Sequence, residues 1–301
     1  MKIVHRRLYL DFSKQKSFRI IPHADLQLGH PDVDLSLLKR DIEEASNDPY
    51  CVTLGLGDLI DSDRPSARII RTSAYAGRED ALRQEDEKKQ AWIDKKVIPL
   101  LLPLTQSPNT KQGFGLLGEL DGHHHEQYQD GTTSTQYIIS RLKELNPEAT
   151  CSYLGEMSCY VILHVHDIKD TSHTFTLVVH AQHGTNTGSF IGSDLSNLEK
   201  KSSAYFEADI FLRGHSTKKY AVPKTLLYPS RKETAPYLMQ KTIILANTGG
   251  YMKGYGNSEK ASYVERAGLM PVALGHIIVE VFIRKDKAHN SSVYPELRAI
   301  T

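Results

Sequence analysis

Five short apolar runs, each closed by an aspartate or a histidine, constrain this chain more than any other feature. The runs are FRIIPHAD, YCVTLGLGDLID, GFGLLGELDGHHHE, TFTLVVHAQHG and ADIFLRGHS, and the residues at their ends are Asp25, Asp58, His124, His183 and His215. A run rich in apolar and β-branched residues reads as a buried strand. A carboxylate or imidazole just past its carboxyl end faces the crevice where open α/β folds place their ligands. One such residue would signify little. Five in series, all Asp or His, read as ligands converging on a divalent metal ion.

The 301 residues suffice for a sizeable core, and 40% hydrophobic with 24% charged residues is ordinary for a globular chain. The net charge of +1 supplies no global pull toward nucleic acid or a membrane surface, so any such binding needs a local patch. Cys51, Cys151 and Cys159 form no zinc-finger or CxxC spacing, and Cys51 and Cys159, which begin apolar strands, read as buried thiols in a reducing interior. The first residues, MKIVHRRLYLDFSKQKSFR, lack the unbroken apolar stretch of a signal peptide. No run of about 18 apolar residues occurs, so no membrane partner is predicted, and the expected setting is cytoplasmic.

Residues 1–22 read as a hairpin, LYLDF and SFRII flanking the polar SKQK. Asp34 can cap a helix that places Leu35, Leu38, Ile42 and Ala45 on one face. Residues 64–106 are charged and mostly helical in pattern, and a second helix follows Thr132 with Ile138, Leu142 and Leu145 aligned. CYVILHVHDI and HTFTLVVHAQ alternate around a polar turn and read as adjacent antiparallel strands. SDLSNLEKKSSAYF reads as a capped helix, and KTIILANTGG and GHIIVEVFIR as late strands around a Gly- and Tyr-rich loop. The economical organisation is one α/β domain over 1–301, with a motif-bearing core at 18–222 and residues 223–301 completing it.

Placed in order, the motifs are D-x-Q (Asp25, Gln27), G-D-x-x-D (Asp58, Asp61), G-H-H (Gly122, His123, His124), H-G (His183, Gly184) and G-H-x-T (Gly214, His215, Thr217). Over residues 20–220 this resembles the calcineurin-like metallophosphoesterases, whose order is D-x-H, G-D-x-x-D, G-N-H-D/E, H, G-H-x-H. DGTTSTQY after the histidines and the late SYVERAGLMP are similar to phosphoesterases of phage and prophage origin. The resemblance implies an α/β (α+β) fold, two mixed β-sheets in a sandwich flanked by helices as four layers, with metal at the strand ends. It implies that Asp58 bridges two metals, with Asp25, Gln27 and Thr217 around the first and His123, His183 and His215 around the second. A hydroxide between the metals would attack phosphorus in line. His124 would protonate the leaving oxygen, and Asp61 would hold that imidazole oriented.

The chain departs from the family at Gln27 and Thr217, both of which serve the first metal, while His123 stands where the family has Asn. A Gln carbonyl or Thr hydroxyl is a weaker ligand than imidazole, so one tight and one weak ion are expected, manganese first, with zinc, iron or nickel as alternatives. His23 or His30 could enter the first site in compensation. His180 and His183 compete for one ligand role, and His183, which directly precedes glycine, is favoured. Arg64, Arg68 and Arg71 recur at helical spacing; a solvated helix face accounts for them, and the sharper reading has Arg64 on a substrate phosphate.

The reading is thus a metal-dependent phosphoester hydrolase, with a phosphodiesterase or nuclease slightly ahead of a phosphomonoesterase. Its partners are a phosphoester substrate, with nucleic acid among the candidates. The alternative is a catalytically weak binding or scaffold protein with a depleted first metal site, motivated by Gln27 and Thr217.

Overall fold

The computed structural model describes residues 1–62, 77–185, 190–229, 238–255, 261–266, 268, 270–285 and 293–301; Arg64, Arg68 and Arg71 lie outside them. In chain order the described strands are β1 (Lys2–Leu10), β2 (Ser17–His23), β3 (Cys51–Gly55), β4 (Gly115–Leu120), β5 (Ser152–Gly155) and β6 (Ser158–Asp167). They continue with β7 (Thr174–Gln182), β8 (Ile210–Arg213), β9 (Tyr220–Pro229), β10 (Leu238–Asn247), β11 (Ile278–Lys285) and β12 (Val293–Ile300). The longer helices are α1 (Leu35–Asn47), α2 (Glu79–Lys96), α3 (Ser134–Leu145) and α4 (Ile191–Leu198).

The strands form two six-stranded sheets, ordered β1-β6-β7-β8-β10-β9 and β12-β11-β2-β3-β4-β5. Both are mixed: β2, β3, β4 and β5 run parallel, whereas β11 joins β2 and β12 antiparallel. Alternating residues of the two inner faces, among them Leu8, Phe18, Ile20, Val52, Leu54, Val161, Leu177, Val179, Ile210 and Val279, fill one core between the sheets. A second cluster lies under the helices on the outer face of the β2–β3–β4 sheet, with Leu38, Ile42, Ile93, Leu116, Ile138 and Leu142. A third, including Leu198, Phe211, Tyr220 and Ile243, lies on the outer face of the other sheet. The architecture is an α/β sandwich of two mixed sheets flanked by helices.

The local signals explain the helices. Asp34 caps α1 by accepting from the Leu37 N–H at 3.1 Å, and Leu38, Ile42 and Ala45 are buried, although Leu35 faces solvent. Thr133 and Gln136 close a capping box on α3, which buries Ile138, Ile139 and Leu142 and leaves Leu145 exposed. α4 begins earlier than the SDLSNL reading, at Ile191, and runs into a π-helical turn at Glu199–Ser203.

The antiparallel pair of β6 and β7 forms as its alternation predicts. The hairpin over residues 1–22 does not form. β1 pairs parallel with β6 at the edge of one sheet, while β2 lies between β11 and β3 in the other. The SKQK segment therefore passes between layers. Strand pairing here is decided by partners more than 30 residues away, which a polar tetrapeptide between two apolar runs cannot reveal.

Candidate metal centre

Each strand-end residue owes its position to the backbone beyond its strand. Asp58 follows β3, His123 follows β4, His183 follows β7 and His215 follows β8. The first two leave one sheet and the last two leave the other, and all four meet where the sheets' carboxyl ends converge. The ligand atoms of Asp58, His123, His183 and His215 lie within 4.8 Å of one another, a grouping that can hold a metal ion.

The backbone here is strained in one consistent way. Among the described residues, the non-glycine positions with positive φ are Asp25 (51°), Gln27 (45°), Asp58 (57°), His215 (64°) and Thr217 (55°). Each such residue costs about 1–3 kcal/mol unless its surroundings enforce it. The enforcement is visible in the hydrogen bonds. The N–H of Asp25 donates to Gly57 O, that of Gln27 to Asp58 O, and that of Asp58 to Asp121 O, each at 3.0 Å. Asp121 is itself fixed by Thr133 Oγ1 at 2.7 Å and the Tyr153 hydroxyl at 2.5 Å, both donating to its carboxylate. Gly57, at φ 100°, is required because a Cβ there would stand 2.7 Å from the Gly122 backbone and 2.9 Å from His183 Nδ1.

Asp58 is the hub. Its Oδ1 accepts the N–H groups of His123 at 2.6 Å and His124 at 2.8 Å. Its Oδ2 accepts from Gln27 Nε2 at 3.2 Å and stands 3.4 Å from His183 Nε2. His183 is fully buried; its Nδ1 donates to the Leu56 carbonyl at 2.7 Å, which fixes the tautomer. Its Nε2 then faces the cluster with no hydrogen-bond partner. A buried, unsatisfied imidazole nitrogen aimed at a carboxylate and two further imidazoles fits a cation. His123 Nδ1 and His215 Nδ1 lie 3.3 Å apart on the other side of the grouping.

The electrostatics agree. Burial pushes the Asp25 carboxyl up to about 7, with Asp58 adding to the shift and His183 opposing it. Burial also works against ionisation of Asp58, but the His183 ring and the His124 N–H outweigh it and hold that carboxyl well below the usual range. Burial opposes charge on His183 too, yet Asp58 and Asp25 raise it. His215 falls to about 4, through burial and then through His183 and His123, and His123 is lowered by burial and then by His183, His124 and His125. Three imidazoles and two carboxylates compete for few protons, a donor set suited to a divalent ion.

The remaining sequence-predicted residues separate. Asp25 is buried beside the cluster, its Oδ2 accepting the His215 N–H at 2.8 Å. Thr217 Oγ1 turns onto the Ser216 carbonyl at 2.8 Å. His23 points to the helix side of its sheet, where Nε2 meets Glu119 Oε1 at 2.7 Å. His30 Nδ1 accepts the Asp32 N–H at 3.1 Å. The Nδ1 of His124 donates to the Ser62 carbonyl at 3.0 Å, the place foreseen for the Asp61 carboxylate, while Asp61 is exposed and lines an adjoining cavity. Sequence reasoning missed Ser62, Asp121 and the buried pair of Arg213 and Asp194, whose Nη2 and Oδ1 are 3.2 Å apart. It also missed Glu119, which one signal could have given: a glutamate inside the apolar run GLLGEL.

His180 lies on the opposite face of its sheet from His183. Its ring stacks on Phe206 at 4.5 Å and touches Tyr160 and Phe211, and neither ring nitrogen has a hydrogen-bond partner. Burial holds its pKa at about 4. The unfolded chain, with an ordinary value of about 6.5, takes up a proton first as pH falls, so His180 erodes stability below pH ~6.5 and continues to do so down to its folded value. Between pH 7 and 5 that loss is about 2 kcal/mol. His180→Phe, which keeps the stacking, should flatten the pH dependence of urea unfolding by that amount. Identical slopes for parent and variant would refute the assignment.

No family model matches the chain, and no curated protein matches it. Among solved structures it is similar to Vps29 of Chaetomium thermophilum at 14% identity and a TM-score of 0.30, over 95% of this chain and 98% of that one. The same protein complexed with the RaPID-derived cyclic peptide RT-D3 matches at 13% identity and a TM-score of 0.31, over 95% and 97%. GAP50, the anchor in the inner membrane complex of Plasmodium, matches at 9% identity and a TM-score of 0.37, over 95% and 90%. Among the described residues no helix is long and apolar enough to cross a membrane.

Proposed function

We propose that the chain is a metal-dependent phosphoester hydrolase, with phosphodiesters and nucleic acid ahead of phosphomonoesters as substrates. One observation carries the reading: a carboxylate and three imidazoles from two sheets bring their ligand atoms within 4.8 Å. Asp58, His123, His183 and His215 would hold a divalent ion, with manganese the first candidate and zinc, iron or nickel the alternatives. When bound, that ion supplies charge stabilisation for phosphoryl oxygens and a nucleophilic water at neutral pH.

The chain's own residues do the rest. His124 is anchored by its backbone N–H on Asp58 Oδ1 and by Nδ1 on the Ser62 carbonyl, which leaves Nε2 to exchange a proton with the leaving oxygen. Ser62, whose carbonyl holds His124, also lines a cavity of about 650 Å³ with Asp61, Lys88, Lys89, Trp92 and Glu126. That volume suits the alcohol portion of a phosphoester. The preference for phage-type phosphodiester and nucleic-acid substrates rests on the sequence resemblance.

The test is hydrolysis of mono- and bis-(nitrophenyl) phosphate across manganese, zinc, nickel and iron. His124→Ala should lower turnover by roughly 10²–10⁴-fold with the metal content unchanged. Absence of turnover with all four metals would favour the second reading, a binding protein of depleted activity. That reading draws on Gln27 and Thr217, whose side chains turn to Asp58 and to Ser216.

A further inference from the structure

Asp58 has a countable supply of lone pairs. An ionised carboxylate offers about four acceptor directions, two on each oxygen. Oδ1 spends both on the N–H groups of His123 and His124, at 2.6 and 2.8 Å. Oδ2 spends one on Gln27 Nε2 at 3.2 Å. A single direction remains, toward His183 Nε2 and the cluster. While Gln27 keeps its hydrogen bond, Oδ2 has one direction left for an ion.

The surroundings lead the same way. The four ligand atoms that converge come from Asp58, His123, His183 and His215, and Asp25 is not among them. Thr217 directs its hydroxyl to the Ser216 carbonyl, and His23 is engaged with Glu119. Gln27 is held for its task by the whole loop: its N–H donates to Asp58 O, its φ is 45°, and it is 7% exposed. An amide NH₂ buried against a carboxylate carries part of the positive charge that a second cation would bring, without that cation's demand for further ligands.

We infer that this centre is built for one divalent ion, and that the Gln27 amide occupies the direction on Asp58 through which a second would bind. The inference rests on reading Asp58, His123, His183 and His215 as the ligand set. Replacing the amide by a carboxylate, Gln27→Glu, removes the donor and sets a third acid beside Asp25 and Asp58, an arrangement that calls for a second cation.

The experiment loads the metal-free 301-residue chain with Mn²⁺, removes loose ions by desalting, and measures manganese per chain together with the electron paramagnetic resonance spectrum. The parent should retain one ion with the six-line signal of an isolated centre. Gln27→Glu should retain two, with a broadened, spin-coupled signal. Two coupled ions in the parent would overturn the inference while leaving the hydrolase reading standing. No retained ion would overturn both. A folded Gln27→Glu chain that still holds one ion would overturn the role given to the amide; should that variant not fold, the parent's stoichiometry and spectrum decide alone.

Discussion

A methyl group added at Gly122 should cost the protein both its metal retention and several kcal/mol of stability. Gly122 has φ 76°, and a Cβ there would stand 2.3 Å from Asp58 Oδ1 and 2.6 Å from Asp58 N. Neither atom can yield cheaply. The N–H is committed to Asp121 O, and Oδ1 holds the N–H groups of His123 and His124. Relieving the clash means withdrawing the β4 loop from Asp58, which carries His123 away from His183 and His215. Overpacking together with left-handed strain on a residue bearing a Cβ amounts to about 2–5 kcal/mol. Thermal melts of parent and Gly122→Ala, with and without Mn²⁺, measure both effects. A variant that melts within about 2 °C of the parent and gains the same metal-dependent shift would show that the close approach is tolerated.

The second large effect belongs to Arg213, which is 3% exposed and paired with the fully buried Asp194. Asp194 also accepts from Ser216 Oγ at 2.8 Å and Tyr220 OH at 3.2 Å, and Arg213 Nη2 donates to the Thr185 carbonyl at 3.3 Å. The ion pair thus ties the loop after His183, through Arg213, and the loop after His215, through Asp194, to α4. Arg213→Met strands a buried carboxylate and should destabilise the fold by about 3–5 kcal/mol. Adding Asp194→Leu should recover a large part of that loss, because the stranded charge is then gone. Chemical denaturation of the single and double variants supplies the comparison, and a double variant no more stable than Arg213→Met would contradict the account.

What the sequence could disclose follows from where the information resides. Asp58, His183 and His215 each end an apolar run, so their convergence could be anticipated without knowing the trace between them, whereas His123 entered through the order of the motifs. The orientation of Gln27, the carbonyl that receives His124, and the Arg213–Asp194 pair depend on loop paths that no local pattern encodes. His180 and His183 competed because both close the same run, and the glycine after His183 favoured it; strand alternation sends His180 to the outer face, and the chain beyond Gln182 brings His183 inward. β9 and β12 left little trace because they are sheet edges carrying Pro223, Pro229 and Pro295, residues that mark edges and mute the strand signal. β1 and β2 misled because each pairs with a distant partner while mimicking a local hairpin.

Because two of the four converging side chains leave one sheet and two leave the other, any ion they share fastens the seam of the sandwich. Removing such an ion would then unbutton one end of the molecule, and the chain just past β3, β4, β7 and β8 should exchange its amide protons faster. Occupancy of the centre and cohesion between the layers are, on this geometry, a single variable.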